Sequence, residues 1–335
     1  MKNMITNANK LFADYESDHI VMIYPHMYQK TYFYNNLLDI YKRLIDLFNI
    51  NNIEYTVVTK NKFDYMKLKL DKIHSSKNTI EYECDDIWVR DYFPKIYIDN
   101  NNKKLINYDF NSYGYKYSYA KEVKLKNMFE YQFVEAYLDD IVLEGGNLEF
   151  SSEGVILTNM NSILKNNKSN NSQYFKDRLL RAKNKLEVSE LFIFDVPEII
   201  GDDTNGHIDN LVRFIDSNTI LYFASKDASY QNYQLACKLE EQIEKIMNKS
   251  KIIKNAIPIY HDKNDEFVVN NKIYPYSKLN FIATKNMFIF PCLEKNKNSI
   301  ELQIKSLPMN VPLYTVKCEA ALLEYGGLHC LTANI

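Results

Sequence analysis

Several features that would define a class of protein are missing from this sequence of 335 residues. It has no run of eighteen apolar residues, and residues 1–7 lack the apolar core of a signal peptide. Neither a membrane span nor secretion is therefore expected. The five cysteines are odd in number and scattered, without a Cys-x-x-Cys pair. This pattern argues against a disulfide framework or a zinc site and predicts reduced thiols in a cytoplasmic protein.

Strong net charge and interdomain linkers are also lacking. The formal net charge of -2 gives no electrostatic reason to expect nucleic acid or an anionic membrane as a partner. No segment rich in Pro, Gly or Ser divides the chain, and the polar segment 165–172 is predicted to be a surface loop. Apolar residues make up 46% of a chain long enough to bury a sizeable core. We therefore predict one domain over residues 1–335.

Hydrophobic periodicity predicts strands alternating with helices, an α/β pattern. Strands are predicted over 19–24 and 54–59, helices over 34–50, 61–72, 172–186, 230–248 and 294–306, and hairpin turns near residues 100, 152, 217 and 285. Residues 87–98 are strand-like but are interrupted by Arg90-Asp91 and Pro94. The hairpins recur at intervals of roughly fifty to seventy residues, which indicates a repeated supersecondary unit.

Polar clusters lie at corresponding places in these units. Trp88-Val-Arg-Asp91 precedes the first hairpin, Glu144-Gly-Gly146 opens the second, and the run from Gly201 to Asn210, with His207 and Asp209, opens the third. If the units pack around a common axis, these side chains converge on one rim. The last ten residues carry Cys330 behind a Gly-Gly pair and beside a histidine. We predict a short terminal strand there, with Leu328, Cys330 and Thr332 on one face.

Each cluster also has a structural alternative. Cys330 alone is typical of a buried packing residue, and Trp88 of a core aromatic. Arg90 and Asp91 alone would be a solvated pair, and Glu144 alone a polar turn residue. His207-x-Asp209, read as an extended segment, suits either a His–carboxylate unit or two metal ligands. A metal-dependent hydrolase is the weaker reading, because no second His-x-Asp or His-x-His supplies further ligands.

A cysteine, a histidine and three carboxylates form a chemically meaningful set when taken together. Carboxylates would disfavour the oxyanion of amide hydrolysis, but they suit a cation. A guanidinium is planar and pairs bidentately with carboxylates, which would turn its central carbon toward a thiolate. Attack gives a tetrahedral adduct, after which the histidine protonates departing ammonia and activates water against a thiouronium intermediate. This reaction is the deimination of a guanidino compound.

The four motifs also resemble those of the agmatine deiminases, in the peptidylarginine-deiminase-like branch of the guanidine-modifying (pentein) superfamily. They are Trp88–Asp91, Glu144–Gly146, Gly201–Asp209 and Gly327–Cys330, and the resemblance runs from about residue 13 to the C-terminus. It implies an α/β-propeller of five pseudo-symmetric ββαβ units. It also implies Cys330 as nucleophile, His207 as general acid/base, Asp91 and Asp209 as guanidinium clamps, Glu144 as a further active-site carboxylate and Trp88 beside the substrate. No metal or cofactor is implied.

Three family elements are altered here, namely Ala13-Asp14-Tyr15 with Tyr24-Pro25, Asn111-Ser112-Tyr113-Gly114 and Asn166–Asn170. These changes leave the deimination chemistry intact, but they leave open which chemical group the substrate carries at its distal end. The expected reaction is agmatine and water to N-carbamoylputrescine and ammonia, with free or peptide-bound arginine, or another guanidino compound, as the alternative. A non-catalytic pentein that binds a protein or ribosomal partner is the alternative from another class. The expected partner is thus a small cationic guanidino substrate, and homo-oligomerisation is left open.

Overall fold

The chain folds into small mixed sheets with helices packed against them. The computed structural model describes residues 10–26, 34–62, 64 and 79–335. In this part the strands are β1 Lys10–Leu11, β2 His19–Ile23, β3 Glu54–Thr59, β4 Thr79–Glu81, β5 Ile96–Asp99, β6 Asn102–Asp109, β7 Gln132–Val142, β8 Glu149–Ser151, β9 Val155–Asn159, β10 Glu190–Phe194, β11 Val212–Phe214, β12 Thr219–Ala224, β13 Asn255–Tyr260, β14 Phe267–Val269, β15 Lys272–Tyr274, β16 Ile282–Ala283, β17 Phe288–Cys292, β18 Leu313–Lys317 and β19 Ala333–Asn334. The helices are α1 Tyr34–Ile50, α2 Val89–Tyr92, α3 Met160–Asn166, α4 Ser172–Lys185, α5 Tyr233–Met247, α6 Lys297–Lys305 and α7 Glu319–Leu322.

One sheet arrangement recurs along the chain. An antiparallel pair is extended by a third strand that runs parallel to its neighbour, in the orders β5-β6-β7, β8-β9-β10, β11-β12-β13, β16-β17-β18 and β19-β2-β3. Parallel neighbours need a crossover connection, and α1, α5 and α6 are such connections. The sequence prediction of a repeated unit therefore agrees with the mixed α/β fold. None of the sheets in the described part closes on itself, so a five-bladed propeller is not established by the sheets alone.

The unit formed by β19, β2 and β3 joins the two ends of the described chain. Ala333 pairs with Val21, and Asn334 pairs with Ile20. Because this pairing is antiparallel, it brings the last residues beside the strand that follows the Asp14–Glu16 turn. The pairing therefore carries Cys330 and Asp14, which lie 316 positions apart in sequence, into one region of the fold.

The strongly periodic segments form as predicted. α1 begins and ends at the predicted residues 34 and 50, and it buries Leu37, Tyr41, Leu44 and Phe48 on one face. β3 covers the predicted residues 54–59, and all its residues after Glu54 are buried. Each fully buried side chain of this kind contributes roughly 1.5–3 kcal/mol relative to an exposed one. The four predicted hairpins and the helices near 172–186, 230–248 and 294–306 are likewise confirmed, with ends shifted by up to a few residues.

Two predicted strand segments are wrong. Residues 87–98 do not form one interrupted strand, because α2 occupies Val89–Tyr92 and only Ile96–Asp99 is extended. The predicted terminal strand is short, with only Ala333–Asn334 paired, while residues 328–331 form a turn. In that turn the Thr332 N–H donates to the His329 carbonyl at 3.0 Å, which bends the chain away from an extended path.

Two further expectations concern the segments 61–72 and 165–172. The helix predicted over 61–72 lies mostly outside the described residues. The segment predicted as a loop over 165–172 begins in the last turn of α3 and ends at the first residue of α4.

Across the described ranges, no helix combines the length and apolar character that crossing a membrane requires.

Candidate active site

Five polar side chains singled out in the sequence are buried together near the ends of separate elements. Asp91 lies on α2, Glu144 follows β7, His207 and Asp209 flank the start of a 3-10 turn at Ile208–Asn210, and Cys330 lies in the turn before β19. Each of the five is at most 4% exposed. The extended geometry predicted for His207-x-Asp209 is therefore wrong, although the 3-10 turn still brings both side chains into the same site.

Gly146 lies at the centre of this group. A Cβ added to it would lie 2.6 Å from Asp91 Oδ1, 2.7 Å from His207 Nδ1 and 3.1 Å from Asp209 Oδ2. These three polar atoms therefore surround one glycine without room for a methyl group. The neighbouring Gly145 is packed just as closely, because its added Cβ would overlap the Arg90 carbonyl oxygen. The Glu-Gly-Gly motif thus lets the backbone after β7 approach α2 and the His207 turn.

His207 lies between two carboxylates. Its Nδ1 is 3.3 Å from Asp91 Oδ1, and its Nε2 is 3.7 Å from Glu144 Oε2. Burial opposes the charged imidazolium, but the Asp91 and Glu144 carboxylates outweigh it and raise the pKa of His207 well above its usual value. Both approaches are ion pairs, but the first is poorly directed for a hydrogen bond and the second is too long for one. Both ring nitrogens and both Glu144 oxygens are therefore without a hydrogen-bond partner among the described residues.

Asp209 and Cys330 face each other on the other side of the site. The Cys330 Sγ is 4.0 Å from Asp209 Oδ2 and receives a hydrogen bond from Asn280 Nδ2 at 3.3 Å. Burial, and then the Asp209 and Asp91 carboxylates, raise the pKa of the Cys330 thiol well above its usual value. Burial also raises the pKa of Asp209 to about 7. Both groups would ionise more readily if a cation lay between them.

A strained turn supports Asp91. Its Oδ2 accepts a hydrogen bond from the Tyr113 hydroxyl at 2.7 Å, and its Oδ1 accepts one from the Gly146 N–H at 3.2 Å. All four residues of the turn from Ser112 to Tyr115 have positive φ, between 55° and 84°. A left-handed backbone costs roughly 1–2 kcal/mol for each residue other than glycine. The turn therefore holds the phenol against Asp91 at a local energetic cost, a pattern common at functional sites.

A second layer of buried polar groups lies behind Asp209, and sequence reasoning missed it. Asp14 Oδ2 is 2.8 Å from His329 Nε2, while His329 Nδ1 is 2.7 Å from Asp209 Oδ2. Asp14 also faces three cations, with Lys95 Nζ at 3.1 Å, Arg213 Nη2 at 3.2 Å and Arg90 Nη1 at 3.4 Å. The reading of Arg90 and Asp91 as a solvated pair is therefore wrong, since both are buried and bind different partners.

Asn280 is another residue that the sequence did not indicate. Its Oδ1 accepts the His329 N–H at 2.9 Å and the Cys330 N–H at 3.4 Å, while its amide donates to the Cys330 sulfur. An added Cβ on Gly327 would overlap the same Asn280 side chain. The Gly-Gly pair before the cysteine therefore permits a close approach that fixes the sulfur.

An acidic cleft of about 590 Å³ leads from the protein surface to this group. Its lining residues are Asp85, Asp86, Trp88, Asp91, Tyr113, Tyr117, Ser118, Lys121, Glu122, Asp203, Thr204, Glu324, Tyr325, Gly326 and Cys330. Carboxylates outnumber the single lysine, and Lys121 is itself paired with Glu83. Trp88 is half-buried and packs on Gly326, where a Cβ would overlap its ring. Trp88 is thus both a packing residue and part of the cleft wall.

The donor set favours a cationic organic ligand over a metal ion. Within the residues that the structure describes, no group of three or more His, Cys, Asp or Glu side chains is arranged to hold a metal. The site offers an imidazole and two carboxylates around Gly146, with Glu144 beside the imidazole and the Cys330 thiol beside Asp209. The acidic cleft reaches Asp91 and Cys330. This arrangement can hold a planar cation by its edges and present a sulfur to it.

Comparison with known proteins identifies the family. A family model described as "Porphyromonas-type peptidyl-arginine deiminase" matches residues 13–335, and the chain belongs to this family. "Putative agmatine deiminase 1" of Listeria monocytogenes is 22% identical over 311 residues, which cover 85% of each chain. "Putative agmatine deiminase" of Shewanella baltica is 22% identical over 281 residues, 76% of this chain and 75% of that protein.

Solved structures agree in fold. An agmatine deiminase of C. jejuni with substrate bound superposes with a TM-score of 0.81 at 22% identity, over 98% of this chain and 96% of that one. At this identity the likeness shows a shared fold and does not define the substrate of this chain. The mixed α/β architecture described above is thus that of the agmatine deiminases.

Proposed function

We propose that this protein is a cysteine-dependent hydrolase that converts agmatine and water to N-carbamoylputrescine and ammonia. The observation that carries the proposal is the set of buried polar atoms without hydrogen-bond partners in the described part of the chain. At the site this set includes both carboxyl oxygens of Glu144 and Asp209 Oδ1, all of which accept hydrogen bonds. Leaving such an atom unsatisfied costs about 1–3 kcal/mol, so this set favours a ligand rich in N–H donors.

A guanidinium meets this demand better than other small groups. It is planar, permanently charged and carries five N–H donors in a fixed fork. Asp91 and Asp209 both lie within about 3 Å of a Cβ added to Gly146, so both can receive N–H donors of one fork. Glu144 supplies a third acceptor, and the negative cleft attracts the cation.

The proposed reaction begins with attack of the Cys330 sulfur on the guanidinium carbon. A guanidinium bound between Asp209 and Asp91 offsets the two carboxylates that raise the thiol pKa, so binding itself favours the thiolate, and the thiol proton leaves to the solvent in the cleft. The tetrahedral adduct then collapses as the His207 imidazolium protonates the departing ammonia. The resulting neutral imidazole takes a proton from water, which attacks the thiouronium carbon and releases the ureido product together with the free thiol.

The carboxyl groups that line the cleft support agmatine over arginine as the substrate. Asp85 is paired with Lys60 at 2.7 Å, but Asp86, Asp203 and Glu324 line the cleft without an ion pair to a cation of the described residues. Burial raises the pKa of Asp86 to about 7 and that of Asp203 to about 6. A primary ammonium suits these carboxyl groups, whereas the carboxylate of arginine would be repelled. Free or peptide-bound arginine, or another guanidino compound, is the same-chemistry alternative.

A non-catalytic pentein that binds a protein or ribosomal partner is the alternative from another class. The buried imidazole between two carboxylates, with a thiol 4.0 Å from Asp209, argues against it, because a binding scaffold has no use for these groups inside its core. We further propose that residues 1–335 form one catalytic domain, a five-bladed propeller of ββαβ units. The five recurring sheet orders support the propeller. Five free cysteines support a cytoplasmic location.

A turnover assay over three substrates tests the proposed function. Purified protein is given agmatine, arginine or an arginyl peptide, and both the ureido product and ammonia are measured. We expect turnover of agmatine with the highest kcat/KM. The Cys330→Ala variant should lose several orders of magnitude in kcat, while Cys237→Ala, on α5, serves as the matched cysteine control. Turnover of none of the three, or full turnover by Cys330→Ala, would contradict the proposal.

A further inference from the structure

The His329 imidazole is held between two carboxylates. Its Nδ1 is 2.7 Å from Asp209 Oδ2 and its Nε2 is 2.8 Å from Asp14 Oδ2. The ring is completely buried, and the residue is fixed from the other side by its backbone N–H, which donates to Asn280. The two carboxylates are therefore connected through one imidazole ring.

Hydrogen-bond stoichiometry requires an extra proton in this group. A neutral imidazole has a single N–H, so it can donate to only one of two carboxylates. If both carboxylates are ionised, the ring must be an imidazolium, and if the ring is neutral, one carboxyl group must be protonated. In either case Asp14, His329 and Asp209 together hold two protons in their two short contacts.

The charges on the Asp14 side keep that carboxylate ionised. Burial opposes its charge, but Arg90 and Lys95, with the His329 contact, outweigh burial and hold the pKa of Asp14 well below its usual value. Arg213 Nη2, 3.2 Å away, is a third cation on this side. The imidazole must therefore donate its Nε2–H to Asp14, which leaves Nδ1 facing Asp209.

The extra proton consequently lies between Asp209 and His329. Burial, and then Arg213 and Arg90, lower the pKa of His329 well below its usual value, which favours the neutral ring. Burial raises the pKa of Asp209, with His207, Arg213 and Arg90 opposing the shift and Asp91 adding to it. The Cys330 sulfur, at 4.0 Å from Asp209 Oδ2, is a further ionisable neighbour. In the free site Asp209 thus donates from Oδ2 to Nδ1.

We propose that Asp14 and His329 are positioning residues that accept and hold the proton that Asp209 gives up when a guanidinium binds. The inference rests on the proposed function, because its ligand is the guanidino group. As the cation meets the unpartnered Asp209 Oδ1, the ionised carboxylate becomes favourable. The Oδ2–H bond breaks and the Nδ1–H bond forms, so the proton crosses an existing hydrogen bond and does not have to reach bulk water.

This transfer leaves Asp209 and His329 with opposite charges when the guanidinium is bound. Asp209 becomes an anion toward the substrate, and His329 becomes a cation between Asp209 and Asp14. The position of Asp209 changes little, because the same short contact persists with its proton on the other atom. Without His329, the proton of Asp209 would have to leave a fully buried site for solvent, and guanidinium binding would weaken as the pH falls.

Nitrogen-15 NMR of the imidazoles tests the transfer directly. The Cys330→Ala protein is labelled at histidine nitrogens and titrated with agmatine, and Cys330→Ala/His329→Gln identifies the His329 signals by their loss. We expect a protonated Nε2 and an unprotonated Nδ1 in the free protein, and protonation of both nitrogens in the complex. An Nδ1 that stays unprotonated in the complex, or is already protonated without ligand, would overturn the inference.

Binding of agmatine is measured in the same samples as a function of pH, so the two proposals can fail separately. Ligand contacts to His207, Asp86 and Asp203 are common to both proteins and cancel in the comparison. As the pH falls from about 7 to about 5, Cys330→Ala/His329→Gln should lose up to tenfold more affinity for agmatine per pH unit than Cys330→Ala. This is the slope expected when binding releases one additional proton to solvent. Equal slopes would overturn the inference. If agmatine does not bind the parent protein at any pH, the proposed function fails, and the transfer fails with it.

Discussion

Gly146→Ala probes the centre of the site with a single methyl group. The added Cβ would lie 2.6 Å from Asp91 Oδ1 and 2.7 Å from His207 Nδ1, whereas ordinary contacts of a Cβ begin at 3.4 Å. Asp91 and His207 must therefore move by about 0.7–0.8 Å, or the backbone after Glu144 must shift by a similar amount. The φ angle of Gly146 lies outside the left-handed region, so alanine adds crowding and no backbone strain.

We expect kcat/KM for agmatine to fall about 100-fold in Gly146→Ala. A misplacement of about 1 Å in a catalytic group can cost that much, equivalent to about 2.7 kcal/mol in transition-state stabilisation. Steady-state assay of the ureido product gives kcat/KM, and thermal unfolding reports the fold. Gly154→Ala is the control, because its φ of +84° and its contact with Ser189 should lower stability without changing kcat/KM. Wild-type kcat/KM in a folded Gly146→Ala protein would refute the proposed arrangement of Asp91 and His207.

Three further substitutions test the charges around the site. Asp14→Asn leaves Arg90, Lys95 and Arg213 short of a buried anion, so the free energy of unfolding in urea should fall by roughly 3–5 kcal/mol, whereas exposed Glu153→Gln should change it little. Asp209 has a folded-state pKa of about 7, above its unfolded value, so its stabilising proton is lost as the pH rises toward 7. The stability of Asp209→Asn relative to wild type should therefore increase between pH 4 and pH 8, and a constant difference would contradict the raised pKa. Asp203→Asn should raise KM for agmatine more than kcat falls and narrow the preference over arginine, and an unchanged preference would exclude this carboxyl group from distal recognition.

Local pattern was enough to predict the elements that carry the fold. In α1 and β3 the apolar spacing coincides with the buried face, so the sequence alone gives their ends. The paired end of the chain was predicted less well. Residues 328–331 are bent into a turn because Asn280 binds the backbone of His329 and Cys330, and that contact joins residues about fifty positions apart.

In the candidate site, too, the residues that local motifs indicate were predicted, and those that depend on long-range contacts were not. Asp91, Glu144, His207, Asp209 and Cys330 belong to short motifs whose residue types already suit one reaction, and the structure brings them together around Gly146 and Asn280.

The residues behind the site had no comparable signal in a single sequence. Asp14 reaches His329 across 315 positions and Arg213 across 199, and nothing in the local sequence separates such a buried carboxylate from a surface one. The Tyr113 hydroxyl was equally hidden, since its approach to Asp91 depends on four consecutive positive φ angles that a sequence with one glycine in the turn does not suggest.

Detection of a covalent intermediate tests the central claim most directly. Wild-type protein is mixed with agmatine, quenched in acid within the first turnovers and examined by intact and peptide mass spectrometry. The proposed mechanism predicts an adduct with the mass of agmatine less ammonia on the peptide containing Cys330, formed and lost at rates that match turnover. Agmatine turnover without such an adduct, or an adduct on a different cysteine, would contradict nucleophilic attack by Cys330.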